Sequence, residues 1–540
     1  MVTLSRLEAL KQRLTAPAQA FRKPSFVERR YDPREHGPLV SWCEPDASTE
    51  IERYWVDPPY AFVSILQADG ANEHRYHVVE PDLTDREETL LDDLLDDLRQ
   101  ALIHREQPKE GSAEAAIETE LAALLAEYGL DVSRSTFFRF FYYLTRHFRG
   151  YRQLDPVMRD PHVEDISCDG AGRPLFVYHS EYTDLRTNLT FEADQLDDFV
   201  VRLAQRAGQH VSIGEPIAHA MLPDGSRAEL AFGEEVTPHG SAFTIRRYAD
   251  VAMTPVSLLN RGTFSIEQLA YLWLAIEHNR SLIFAGGTAA GKTTSLNAVS
   301  LFIPPRAKVL SIEDTPEIRL HHENWLSAVT REGVGDDPGV GMYELLRSAL
   351  RHRPEYIIVG EVRGSEAMTL FQAMNTGHAT YSTLHADSIQ TVIKRLENDP
   401  INVPRAMIRS LDILSVQTIH HRGGERWRRA RELTEIVGVD QRTGDLDYTT
   451  VFEWEPSDDR FRKNLGQSQV LEVVAERRGW TGAELRRELR ERQRILRFAR
   501  LRDLTDYEPF TALVTDYYTD PDPLLARADA ALGGTAASSS

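Results

Sequence analysis

Residues 281–294 read SLIFAGGTAAGKTT, and the rest of the reading follows from them. Ser281 to Ala285 is a short apolar run of the kind that forms a buried strand. Gly286-Gly287-Thr288-Ala289-Ala290-Gly291-Lys292-Thr293 then meets G-x-x-x-x-G-K-[ST] at every fixed position. Glycine and alanine leave room for backbone N–H groups to approach a phosphate. A helix starting near Lys292 aims the positive end of its dipole at the same spot. Lys292 can reach the β- and γ-phosphates, and the Thr293 hydroxyl can bind Mg²⁺. With Thr294, this run supplies the expected contacts to ATP.

Outward from this turn, helix and apolar strand alternate from about Thr263. FSIEQLAYLWLAIEHN is helical, and SLIFA, KVLSI, YIIVG and ATYSTL are strands. Short apolar strands between helices indicate a parallel sheet covered on both faces. Such sheets bind ligands beyond the C-terminal ends of their strands. Strand Lys308–Ile312 ends in Glu313-Asp314, and strand Tyr356–Val359 ends in Gly360-Glu361. Hydrolysis of a bound triphosphate needs a carboxylate that orients water and an acid on the metal side. Both carboxylates would face phosphates held by Lys292. In residues 377–387, GHATYSTLHAD, His378 precedes an apolar strand and His385 follows it. They occupy opposite ends, so His385 is the one placed to sense the γ-phosphate. His378 is open to a structural hydrogen bond or to a direct role. A zinc pair does not fit this spacing, and no thiolate is near.

Upstream, short strands at Asp165 to Cys168, Pro174 to His179, Asn188 to Phe191, Ala228 to Phe232 and Ser241 to Arg246 flank a helix at Leu196 to Ala207. Residues 155–250 therefore read as an α+β domain. Before it, residues 51–150 combine strand-like sequence from Glu52 to Glu80 with helices at Asp85 to His104, Ala113 to Gly129 and Arg134 to Arg149. The acidic cluster Asp92, Asp93, Asp96 and Asp97 reads as a solvated helix face. Residues 1–50 read as a loose arm, 107–112 as a linker, 255–530 as the motor domain with C-terminal helices, and 531–540 as a disordered tail.

The chain has 540 residues, 41% hydrophobic and 27% charged, which is enough apolar sequence for sizeable cores. No apolar run approaches the ~20 residues of a membrane span. The N-terminus has no signal-type apolar core, so a cytoplasmic protein is expected. Two cysteines, Cys43 and Cys168, exclude a disulfide framework and a four-cysteine zinc site. The net charge is −21, and seven of the 62 basic residues are lysines. An acidic surface repels phosphate backbones and anionic lipids, so no nucleic acid is expected as a partner. The composition suits either a salty cytoplasm or ordinary solubility with GC-rich coding.

GGTAAGKTT, SIEDTPEI, YIIVGEVRGSEA and TGHATYSTLHADS, in this order and spacing, resemble the Walker A, aspartate box, atypical Walker B and histidine box of the type II/IV secretion ATPases. The resemblance covers roughly residues 155 to 440. DPHVEDISCDG followed by PLFVYH is similar to the archaeal branch. It implies a RecA-like P-loop ATPase core with a parallel sheet, preceded by an α+β (PAS-like) domain and an α-rich N-terminal region. It implies that Glu313 activates water, that Glu361 supports Mg²⁺ through water, and that His385 senses phosphate. Pro223-Asp224-Gly225-Ser226-Arg227 and Phe243-Thr244-Ile245-Arg246-Arg247 match the family's arginine positions. Arg227 and Arg246 are thereby candidates to stabilise the transferring phosphoryl group, with Arg247 as a substitute for Arg246. Gly287 and Ala289 stand where many bacterial members have Pro and Gly. No zinc is implied, because the four-cysteine motif of some bacterial members is missing.

The resemblance further implies a homo-hexameric, two-lobed ring at the inner face of the cell membrane. Its mechanical partner would be a polytopic platform protein, and through it pilin-like subunits. A type IV pilus-like or type II-like secretion motor and an archaeal swimming-filament motor are both consistent with the motifs. RGGERWRRAR, residues 422–431, raises a reading of another class, a RecA-like nucleic-acid motor with Trp427 for stacking. The family reading of the same block is an edge strand on a subunit-facing surface. A non-hydrolysing scaffold is disfavoured by the intact Lys292, Thr293, Glu313 and Glu361.

Overall fold

The computed structural model describes residues 31–45, 48–68, 73–104, 113–247, 253–331, 339–422, 425–440, 442–443 and 445–537. The chain divides into two units, Met1–Ala249 and Asp250–Ser540.

The first unit is built on a nine-stranded sheet. Its strands are β1 (Ser48–Asp57), β2 (Ala61–Ala68), β3 (His74–Val79), β4 (Val163–Cys168), β5 (Pro174–His179), β6 (Thr183–Thr190), β7 (Ile217–Met221), β8 (Arg227–Ala231) and β9 (Ala242–Arg246). Their order is β1-β2-β3-β6-β5-β4-β9-β8-β7. The sheet runs unbroken across the boundary anticipated at 150–155, because β3 pairs parallel with β6, Arg75 level with Arg186 and Tyr76 with Thr187. The Asn188 side chain extends that join. It accepts from Val78 N at 2.8 Å and donates to Val78 O at 3.0 Å. Asp160, fully buried, accepts from Tyr54 at 2.8 Å and Tyr76 at 2.7 Å, tying β1 and β3 to the chain before β4.

Helices α1 (Asp85–His104), α2 (Ala113–Glu127) and α3 (Arg134–Phe148) bury Leu94, Leu98, Leu121, Phe137 and Phe140 against Phe62 and Val79. Tyr31, Leu39 and Val40 join the same core, so residues 31–45 are packed where a loose arm was anticipated. Residues 1–30 and the linker at 107–112 lie outside the described residues. Helix α4 (Ala193–Arg206) covers β4–β9 with Leu196, Phe199, Val200 and Leu203.

In the second unit the strands are β10 (Leu282–Gly286), β11 (Val309–Glu313), β12 (Trp325–Val329), β13 (Tyr356–Val359), β14 (Ala379–His385), β15 (Ile413–Arg422), β16 (Glu425–Val439), β17 (Leu446–Glu455) and β18 (Arg460–Lys463). The order β12-β11-β13-β14-β10-β15 is parallel throughout, and β15-β16-β17-β18 continues it antiparallel. This is the RecA-like α/β core. Every residue of β10, β11 and β13 is buried, as strands covered on both faces must be.

Helix α5 (Ile266–Glu277) starts at a capping box made by Ser265 and Gln268 and buries Trp273 on Phe302. Helix α6 (Lys292–Ser300) follows the Gly-rich turn. Helices α7 (Met342–Ala349), α8 (Glu366–Asn375) and α9 (Ile389–Glu397) carry the crossovers that let the strands run parallel. After β18, α10 (Gln469–Arg478), α11 (Gly482–Leu501), α12 (Tyr507–Thr519) and α13 (Pro521–Ala537) close the core. Helix α13 covers residues 531–537, where a disordered tail was anticipated, and 538–540 lie outside the described residues. Alanine's low cost in a helix outweighs the two glycines there.

Candidate nucleotide site

Parallel pairing brings the C-terminal strand ends to one edge of the second sheet. Gly286 is level with His385 on β14 and Gln417 on β15. Val359 is level with Ser382 and with Ile312, so Glu313 and Gly360-Glu361 leave the sheet beside each other. Glu313, Glu361, His385 and the Gly286–Thr294 turn therefore share that edge. His378 sits before β14 at the opposite edge. Its Nδ1 lies 3.1 Å from Thr376 Oγ1 and 3.3 Å from Ala373 O, which is a structural hydrogen bond.

The turn itself is sterically determined. A Cβ on Gly286 would stand 2.8 Å from the Gln417 carbonyl oxygen and 3.1 Å from Ala290 Cβ. Ala289 has φ 58° and Gly291 φ 86°, both left-handed. Lys292 is buried, and its Nζ donates to Gly287 O at 2.9 Å. An ammonium has three donors, so others remain for phosphate. Gly291 caps α6 without a side-chain acceptor, which leaves first-turn N–H groups open to an anion. Thr293 and Thr294 lie half-buried in that first turn. Burial lowers the Lys292 pKa, and the nearby Glu361 charge opposes the shift.

Glu313 is 1% exposed, and its Oε1 accepts from the backbone N–H groups of Glu317 at 2.9 Å and Ile318 at 3.0 Å. These bonds orient the carboxylate. Asp314 is drawn aside to accept from Thr330 Oγ1 at 3.0 Å. Thr383 Oγ1 donates to Gly360 O at 2.7 Å, fixing the exit of β13 on β14. Glu361 Oε2 accepts from Arg363 Nε at 2.9 Å. The Glu361 hydrogen bond raises the Arg363 pKa. His385 Nε2 lies 3.4 Å from Thr288 Oγ1, next to the turn. Burial and then the Lys292 charge lower its pKa, so its imidazole is mainly neutral at pH 7.

Two cations beside the site escaped the sequence reading. Arg363 follows Glu361 by two residues, a spacing that could have flagged it. Arg428, on β16 within the 422–431 block, donates from Nε to Ala289 O at 3.0 Å, a contact that neither reading of the block included.

In the first unit, Arg227 opens β8 and Arg246 closes β9, level with each other. Arg246 Nε donates to Asp165 Oδ1 at 3.0 Å, and its side chain is exposed. Arg247 donates to Val163 O at 3.2 Å and to Asp160 O, which holds the chain before β4.

The arginine block forms an edge of the sheet, as the family reading of an edge strand expects. Over 432–435, β16 pairs with both β15 and β17, and over 425–430 it pairs with β15 alone. Residues 423–424 lie outside the described residues. Arg422 and Arg429 lie over the Trp427 ring at 5.3 and 4.9 Å. Arg429 is buried and doubly bonded to Asp459 at 2.8 and 2.9 Å. These partners occupy the groups that base stacking would need.

Residues 158–474 match the protein family described as Type II/IV secretion system protein. Residues 8–82 and 457–539 match families described as PilB3-like, N-terminal and PilB3-like, C-terminal. An uncharacterized protein of Methanocaldococcus jannaschii is 39% identical over 384 residues, 70% of this chain and 70% of that protein. The type IV secretion system protein PtlH of Bordetella pertussis is 30% identical over 273 residues, 44% of this chain and 79% of its own. Among solved structures, the Legionella pneumophila ATPase DotB is similar over 67% of this chain and 94% of its own, with 18% identity and a TM-score of 0.37. Among the described residues, no helix is long and apolar enough to cross a membrane.

Proposed function

The chain belongs to the type II/IV secretion system protein family, and from that premise we propose that it is an Mg²⁺-dependent ATP hydrolase powering assembly of a type IV pilus-like filament or type II-like secretion. The observation that carries the reading is the single sheet edge where Lys292, Glu313, Glu361 and His385 meet the Gly286–Thr294 turn. The turn binds the triphosphate through its N–H groups and Lys292. Glu313, oriented by two backbone N–H groups, accepts a proton from the attacking water. His385, neutral at pH 7, donates or accepts a hydrogen bond at the γ-phosphate. Thr293 Oγ1 and the Glu361 carboxylate are hard oxygen donors of the type that Mg²⁺ takes beside phosphate oxygens. Thr293 directly and Glu361 through water would hold Mg²⁺ there, and the bound ion would supply neutralisation of phosphate charge.

Arg227 and Arg246 stabilise charge developing on the transferred group. The working form is a homo-hexamer at the cytoplasmic face of the membrane, moving a polytopic platform protein and through it pilin-like subunits. The experiment is phosphate release by the purified chain with Mg²⁺, together with ATP affinity. Lys292→Ala should abolish both. Glu313→Gln should keep ATP binding and lower kcat by about 10²–10⁴. A wild type with neither ATP affinity nor phosphate release refutes the reading. In a deletion strain, loss of adhesion with swimming retained supports the pilus over the swimming filament. Stimulation by single-stranded DNA and not by the platform protein would move the chain to the nucleic-acid motors.

A further inference from the structure

The β15–β16 hairpin overhangs the phosphate turn. Gly286 is level with Gln417, Gln417 with Ala430, and Ile419 with Arg428. Arg428 thus stands two ladder steps beyond the last residue of β10. From there its Nε holds the Ala289 carbonyl at 3.0 Å, and its Cδ lies 3.6 Å from where a Cβ on Gly291 would stand. Ala289 is at φ 58°, a conformation glycine adopts readily and alanine does not.

Across a planar trans peptide the C=O and the next N–H point to opposite sides. Holding Ala289 O outward therefore turns the Ala290 N–H inward, where it faces Gly287 O at 3.4 Å. Gly287 O is also the acceptor for Lys292 Nζ at 2.9 Å. A chain of contacts thus links Arg428 through the strained alanine to the lysine that grips phosphate.

We infer that Arg428 is a positioning residue of the nucleotide site, pinning the tip of the turn through Ala289 in its phosphate-binding shape. This rests on the nucleotide reading above. The effect falls on affinity and not on the chemical step, because Arg428 acts on the loop and not on Glu313 or the attacking water.

The test uses the full chain with Arg428→Ala, Arg428→Lys, Ala289→Gly and the Ala289→Gly/Arg428→Ala pair. Binding of ADP with Mg²⁺ is measured by calorimetry, and KM and kcat by phosphate release. Arg428→Ala should weaken ADP binding and raise KM about tenfold, with kcat changed by less than about twofold. Arg428→Lys should fall between it and wild type. Adding Ala289→Gly to Arg428→Ala should recover most of the lost affinity, since glycine needs no clasp at this φ. Unchanged affinity in Arg428→Ala, or a loss that Ala289→Gly does not recover, overturns the inference while leaving the nucleotide reading intact. A wild type that binds no ADP and releases no phosphate sinks both.

Discussion

At Gly286 the chain leaves β10 with a backbone carbonyl on one side and Ala290 on the other. Gly286→Ala would set its Cβ 2.8 Å from the Gln417 carbonyl oxygen, and a paired strand cannot step aside as a flexible side chain can. The variant should lose about 1–3 kcal/mol, read as a lowered denaturant midpoint, together with ATP binding. An unchanged midpoint would show that β10 and β15 separate easily. This residue was legible in the sequence, as were Lys292, Glu313, Glu361 and His385, because residue type and place at a strand end encode their chemistry. Arg428 was not legible. It is 139 residues from Ala289 along the chain and reaches it only because β16 returns antiparallel beside β15. A chain with so many arginines gives one more no contrast.

Among the elements, α11 is anchored to α5 by a buried cation. Arg492 is 1% exposed, bonded to Glu277 and, at 3.0 Å, to Glu488 Oε2, and its guanidinium lies 5.2 Å from the Tyr517 ring centre. Arg492→Ala leaves two carboxylates facing a void. Urea unfolding should show a loss of about 3–5 kcal/mol. A loss below about 1 kcal/mol would mean that water enters and solvates the acids. Elements with a long period, such as α1 with its repeating leucines, were readable end to end. Strand β7, IAHAM, was not, because two alanines and a histidine over five residues give too little alternation. The join of β3 to β6 was invisible for a different reason. Parallel pairing between remote segments leaves no local pattern, and the residue that seals it, Asn188, looks like an ordinary turn residue in sequence.

For the molecule as a whole, acidity of the medium should matter before the carboxylates titrate. Burial comes first among the causes that hold His147, His278 and His321 down to about 4, against 6.5 for a solvated imidazole. Arg152 adds to the shift at His147 and His322 adds to it at His321, whereas the nearest charge at His278, Glu277, opposes it. Below about pH 6.5 the unfolded chain binds protons at these positions and the folded chain does not. Stability is therefore full above that pH and declines as pH falls towards 4. Between pH 7 and 5 the surface carboxylates stay ionised. The decline in that window belongs to the histidines. Urea midpoints at pH 7, 6 and 5 should fall in order, with net proton uptake on unfolding at pH 5. His278→Asn, at a helix C-cap that tolerates asparagine, should flatten the decline by about one histidine's share. A midpoint that holds steady or rises from pH 7 to 5 would mean that these imidazoles are solvated in the folded chain, and that α3, α5 and the segment after β11 pack more loosely around them.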